Sequence, residues 1–413
     1  TRPSTDFEPG YIAGNGNTAY ISLQEANAIA VLNIASGEFT GVYPLGFQDY
    51  GETKVDLQKN DVIEFGNYPN VYGIKMPDGI SVTEIGGKTY LLTANEGDSR
   101  ADWTGLDNEY ENVTSPTGNV TLEKKVVWFN TNMWDGLDSD KAYVFGGRSF
   151  SVYEATDNGL VLVYDSGSEF EEITAQKLPD YFNTSNDKNS IDNRSGKKGP
   201  EPESVVAGVI GNKTFAFIAL ERIGGIMVYD ITDPANTKFA NYINSREFDE
   251  VIKGDVSPEG LCFIPASSSK TGKATLLAAC EVSGTLAAYQ CDYEQPETND
   301  YKITEGANGT WTQNSDGTLT IIANGDFAKF TGIKVDGKLI DKGNYTAVSG
   351  STVVTLKAEY LKTLSAGTHE VTFVYTDGEC STNFEVIKNN TESPQTGDNS
   401  NMLLWVALLF ISG

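Results

Sequence analysis

Four stretches within the first 294 residues repeat one design, an apolar strand ending in glutamate and preceded by a short strand that a proline opens. The glutamate-terminated strands are Thr18–Glu25, Thr89–Glu96, Thr214–Glu221 and Ala274–Glu281, and the opening prolines are Pro9, Pro77, Pro202 and Pro258. Behind three of the glutamates a third apolar strand follows, beginning at Ala28, Gly225 and Gly284. Strand, turn, strand, turn, strand at an irregular period is the signature of propeller blades, which bury their faces only by stacking on neighbours. After Glu96 a long insertion interrupts the pattern, and Arg148–Tyr153 with Leu160–Asp165 reads as a further blade. About five blades are expected over residues 1–294, a mainly β chain forming an incomplete β-propeller.

Hairpin geometry gives this repeat a chemical consequence. The start of the first strand and the end of the second lie at one edge of an antiparallel pair. In three repeats an acid directly follows the proline (Asp78, Glu203, Glu259), whereas the first has Gly10. These acids and the strand-ending Glu25, Glu96, Glu221 and Glu281 should therefore share one face, with Asp98 and Arg222 beside them. Crowded carboxylates repel and raise one another's pKa unless cations offset them, so Arg100, Arg222 or a bound metal is expected nearby. Calcium suits such oxygen ligands, and its candidate ligands are Glu96, Asp98, Glu203, Glu221 and Glu259. The plainer alternative is that the acids cap strand ends and accept hydrogen bonds from turn amides.

Composition narrows the chemistry. Fifty-seven acidic against 30 basic residues give a formal net charge of −27, which repels nucleic acid and anionic lipid and keeps an extracellular protein soluble. The one histidine, His369, sits among strand-forming residues near the C-terminus, so no histidine triad or zinc relay can form in the first 300 residues. Cys262, Cys280, Cys291 and Cys380 lack paired metal-ligand spacing and read as buried packing residues. The Asn186–Asn193 segment is rich in Asp and Asn but lacks the ligand order of a calcium loop.

Polar breaks at 295–302 and 388–400 flank a second β-patterned block, 303–387, with short alternating strands between turn signals. This spacing suggests a small β-sandwich. The block resembles the immunoglobulin-like modules of bacterial surface proteins, which implies a spacer role; carbohydrate binding is the alternative. Residues 388–413 hold Pro394-Gln-Thr396-Gly397, a short polar spacer and the apolar run Met402–Gly413. That order resembles a sortase sorting signal, with Ser393 where its commonest form has Leu. The resemblance implies cleavage after Thr396, covalent attachment to peptidoglycan on a Gram-positive surface, and a transient membrane segment in the precursor. The twelve apolar residues are shorter than the roughly 20 that span a bilayer, and the chain starts at Thr1-Arg2-Pro3 without a signal peptide, so truncation at both ends is expected.

Four ordered motifs, Leu23–Val31, Thr93–Arg100, Asp192–Glu203 and Leu220–Asp230, together resemble the choice-of-anchor I family over residues 6–293. The resemblance implies a quinoprotein-like or YVTN-like propeller of about seven blades when complete, exported and attached by varied C-terminal anchors. Gly10 departs from the family pattern, which has glutamate after the proline. No settled activity comes with the family. Two functions therefore stand side by side. One is a non-catalytic surface module that binds an extracellular ligand, glycan or protein partner through its acidic mouth, with calcium as organiser. The other is a metal-dependent, phytase-like phosphoesterase, in which Arg100, Arg194, Lys197, Lys198 and Arg222, and more weakly Arg148, would face the phosphate.

Overall fold

Alternating apolar residues and turns built on Gly and Asn leave little helical periodicity, and the chain is mainly β, with one nine-residue helix at Glu169–Lys177. A computed structural model describes residues 7–389, apart from 101–102, 104–105, 107–108, 114–121, 123–125, 135, 250–251 and 294–299. Pro394, Thr396, Gly397 and the apolar run 402–413 therefore lie outside the described residues. Two compact units divide between Tyr293 and Glu294.

The first unit contains five open sheets and a two-stranded ribbon, none closed on itself among the described residues. The first sheet runs in chain order through Pro9–Asn15, Thr18–Leu23, Ala28–Asn33 and Glu38–Pro44. The fourth repeats that plan with Pro202–Ile210, Lys213–Leu220, Ile226–Asp230 and Lys238–Ile243. The fifth has three strands, Pro258–Ile264, Ala274–Cys280 and Thr285–Cys291.

The third sheet corrects one expectation. Arg148–Tyr153 and Leu160–Asp165 do not start a blade of their own. Their strands, Phe150–Thr156 and Gly159–Asp165, add to Ile80–Ile85 and Lys88–Ala94, with Phe150 paired to Ala94 and Glu154 to Tyr90. Lys88–Ala94 would otherwise present an unpaired edge of backbone N–H and C=O groups, and the chain returns to satisfy it. The intervening insertion forms a separate second sheet. Its strands Tyr110–Val113, Val126–Phe129 and Ala142–Phe145 join Phe47–Asp49 and Val71–Ile74, with Ala142–Phe145 running parallel to Val71–Ile74.

Apolar side chains stack four of these sheets in a row. Tyr20, Ile29 and Leu91 pack the first against the third. Phe150, Ile218 and Tyr229 pack the third against the fourth, and Phe217 and Leu276 pack the fourth against the fifth. The proline-opened strands consequently lie side by side along the row. Phe150 is fully buried, its ring 4.8 Å from that of Tyr229. Phe150→Ala should cost about 3–5 kcal/mol in urea denaturation, the usual toll for removing a buried aromatic ring. A loss under about 1 kcal/mol would mean that the third and fourth sheets are not held together here.

The second unit packs two sheets over one core. Ile303–Glu305, Leu319–Ala323, Thr352–Leu356 and Tyr345–Val348 form one, and Gly309–Thr312, Gly378–Ile387, Gly367–Tyr375, Phe330–Val335 and Lys338–Leu339 the other. Trp311, Ile321, Val354 and Phe373 fill the space between. His369 lies on a strand, with Nδ1 2.6 Å from Asp336 and Nε2 2.9 Å from the Ser365 carbonyl. The four cysteines are free, but Cys262 is exposed and only Cys280 is buried, because Cys262 falls on the outward side of its strand.

Candidate functional site

The site is built by a backbone device repeated at each opening proline. The preceding residues Glu8, Met76, Glu201 and Ser257 all hold positive φ, at 35°, 43°, 53° and 57°. Proline restricts the residue before it, and a side chain at positive φ costs further energy, so each of these turns is set by its surroundings. Three of the four side chains, Met76, Glu201 and Ser257, are buried. The strand-ending glutamates close against these turns: the Glu221 amide donates to the Glu201 carbonyl at 2.8 Å, and that of Glu281 to the Ser257 carbonyl at 2.8 Å.

Register sorts the expected acids. Pro202 pairs with Leu220, Pro258 with Cys280 and Pro9 with Leu23, so the residue equivalent to Glu221 and Glu281 in the first repeat is Gln24. Glu25 is displaced by one position. It turns to a neighbouring apolar cavity beside Phe129 and Trp134, where burial raises its pKa to about 7. Gln24 instead reaches the centre, donating to Glu96 Oε2 at 2.8 Å.

The acids that meet are Asp78, Glu96, Glu201, Glu203, Glu221 and Glu259. Carboxylate oxygens of Asp78, Glu96 and Glu203 lie within 4.8 Å of one another, as do those of Glu96, Glu201 and Glu221. The second group is neutralised from within the chain. Lys198 Nζ is 2.5 Å from Glu96 and 3.2 Å from Glu201, and Arg222 lies 2.9 Å from both Glu201 and Glu221. Arg194 Nε adds a bond to Glu201 at 2.7 Å. Asn186 steadies Glu221 at 3.1 Å, which gives the Asn186–Asn193 segment a structural part in the site.

The first group has less compensation. Glu203 is 7 % exposed, and no hydrogen-bond donor of the described residues reaches its Oε2. Burial, then the negative charges of Glu96 and Asp78, push its pKa far up. Burial likewise raises Asp78 and Glu259, and it takes Glu96 to about 8 and Glu221 to about 7 despite their cations. Such a trio must hold a proton or a metal cation. Oxygen-only ligands at this separation are what a hard divalent ion takes.

Four other residues sit apart from this centre. Glu281 is exposed and meets the cluster only through its repulsion of Glu259. Asp98 stands at the rim, 3.6 Å from Lys198. Arg100 is engaged by Glu109 and the rings of Trp103 and Trp134. Arg148 is withdrawn from any ligand: its guanidinium is buried on Glu171 and on the carbonyls of Asp56, Ser195 and Lys197. Sequence reasoning missed Glu201 as the anchor of the cations. Its signal was the Lys197-Lys198-Gly-Pro-Glu201-Pro-Glu203 run, in which the glutamate before the proline has two lysines just ahead of it.

Residues 1–234 match the choice-of-anchor I domain. The chain belongs to the choice-of-anchor I family. Domains of this family imply an extracellular or surface-anchored protein, and no helix among the described residues is long and apolar enough to cross a membrane. Residues 297–386 match the carbohydrate binding domain X2.

Gigasin-3a of Magallana gigas is 31% identical over 166 residues, covering 36% of this choice-of-anchor I chain and 57% of its own length. The mesenchyme-specific cell surface glycoprotein of Strongylocentrotus purpuratus is 27% identical over 240 residues, covering 48% and 31%. The chain thus spans less than two thirds of either relative. Among solved structures, the Malassezia sympodialis allergen Mala s 1 aligns over 92% of this chain and 79% of its own at 10% identity and a TM-score of 0.32. A tri-modular endoglucanase from Bacillus licheniformis aligns over 21% and 18% at 21% identity and 0.19. Likeness at these scores carries no structural argument.

Proposed function

We propose that this protein is a non-catalytic surface protein whose first unit is an open arc of β-propeller blades presenting a calcium-organised acidic end to an extracellular ligand. The convergence of Asp78, Glu96 and Glu203, with Glu203 Oε2 buried and without a donor among the described residues, carries the reading. Calcium would be held by these three acids, while Glu259, Glu221 and Asp98 surround them and Lys198 and Arg222 balance the remaining charge. In this reading the second unit contacts polysaccharide, and Pro394-Gln-Thr396-Gly397 supplies covalent attachment to peptidoglycan of a Gram-positive wall. The strong negative charge leaves nucleic acid out as a partner.

Thermal melts of the full chain with calcium and with chelator test the core of this. A ligand that binds only the folded state at 100 times its Kd adds about 2.7 kcal/mol, so the melting temperature should rise with calcium. Glu203→Gln should abolish that rise, and Glu221→Gln, in which Arg222 and Asn186 lose part of their anchor, should weaken it. An unchanged calcium response in both variants would make the cluster structural. A phosphoesterase reading keeps one observation in its favour, the cations Lys198 and Arg194 beside the acids; calcium-dependent release of phosphate from p-nitrophenyl phosphate or phytate would decide for it.

A further inference from the structure

Beside the acidic cluster lies a cavity of about 210 Å³ with two unlike walls. The second sheet supplies Tyr110, Val127 and Phe145 on one side, and the segment leading to Pro202 supplies Arg194, Lys197 and Lys198 on the other. A backbone bond from Val127 N to the Gly196 carbonyl, 2.8 Å long, fixes the two walls to each other. Arg148 holds the Lys197 carbonyl at 2.8 Å, so the lysine-bearing turn is rigidly placed.

Charge bookkeeping singles out Lys197. Lys198 is committed to Glu96, Glu201 and Asp98, and the Nε and Nη2 of Arg194 go to Glu201. Lys197 has neither an ion pair nor a hydrogen bond from its ammonium among the described residues. In a chain with nearly twice as many acids as bases, a lysine without a carboxylate among the described residues, beside two further cations, is an arrangement that an incoming anion would complete. Partial burial and the adjoining Arg194 hold its ammonium below the usual lysine range, which reflects the same crowding of positive charge.

The rest of the cavity constrains what carries that anion. A bare inorganic ion would leave the Tyr110, Val127 and Phe145 wall against water. A ring with an apolar face covers that wall, and Tyr110, 42% exposed, offers its own face for stacking. Asp98 at the rim is an acceptor suited to hydroxyl groups. We propose that this cavity is a binding site, separate from the carboxylate cluster, for a hydroxylated ring of single-sugar size bearing one anionic group, a carboxylate or a phosphate.

Calorimetry of the full chain with glucuronate, glucose 6-phosphate, glucose and inorganic phosphate, each with calcium and with chelator, tests it. One or both acidic sugars should bind, and the stronger identifies the anionic group. Glucose and inorganic phosphate should bind at least about tenfold more weakly, since each lacks one half of the recognition. Lys197→Gln should weaken the acidic sugar roughly tenfold, and Tyr110→Ala should weaken it as well. Lys238→Gln, on the fourth sheet, should change nothing. Binding in chelator separates this site from the calcium reading, which can fail without it. Glucose binding as tightly as the acidic sugars, inorganic phosphate binding as tightly as either, no binding by any of them, or Lys197→Gln behaving like Lys238→Gln would each overturn the proposal.

Discussion

Glu201→Gln should destabilise the protein by about 3–5 kcal/mol, enough to shift a urea midpoint plainly, because it strips one carboxylate from three cations at once. Glu201 is fully buried and shares its two oxygens among Arg194, Lys198 and Arg222. Burial by itself would raise its pKa, but Lys198, Arg194 and Arg222 outweigh burial and hold it at about 2. Since the folded value lies below the unfolded one near 4.3, its contribution is present above that value and is lost as pH falls toward 2. Acid unfolding of the wild type should therefore steepen below about pH 4. A Glu201→Gln loss under about 1 kcal/mol, with an unchanged acid limb, would show that the cations find other partners, most directly Glu96 and Glu221.

Glu203 should behave in the opposite sense. Without calcium, wild-type stability should fall as pH rises from about 5 to 9, because Glu203, Glu96 and Glu221 have folded pKa values raised by burial. An acid raised in the folded state binds its proton more tightly there. Its stabilising contribution is complete below the unfolded value near 4.3 and disappears through the folded pKa, at up to about 1.4 kcal/mol per pH unit for each group. Glu203→Gln fixes one of these groups neutral in the same shape. In chelator at pH 8 the variant should be more stable than wild type by about 2 kcal/mol, and the pH slope should shrink. Calcium should reverse the order, stabilising the wild type alone. If the wild type is flat across this range in chelator and Glu203→Gln is the weaker protein, the trio is already balanced and holds no cation.

The sequence alone made a mainly β chain legible, because period-two alternation and turn residues are local properties. It also placed Asp78, Glu203 and Glu259 near Glu96 and Glu221, since a hairpin brings the start of one strand and the end of the next to the same edge whatever surrounds them. Register was harder. Gln24 and Glu25 are adjacent and both polar, and only the pairing of Pro9 with Leu23 decided that the first faces the centre and the second does not. The third sheet lay further out of reach, because its inner and outer hairpins are separated by a whole inserted sheet and meet only through Phe150 to Glu154 on Lys88–Ala94.

The charge balance of the site was decided by tertiary structure alone. The two lysines ahead of Glu201 do not by themselves separate its fate from that of Glu203, yet its backbone at positive φ buries the side chain beneath Lys198, Arg194 and Arg222. Glu203, two residues on, is left facing Asp78 and Glu96. One carboxylate becomes the most strongly ionised group of the cluster and the other the most reluctant to ionise. Coulomb energies at a few ångströms and the cost of burying charge depend on position in space, and so does the pocket beside Lys197, whose two walls come from segments far apart in the chain.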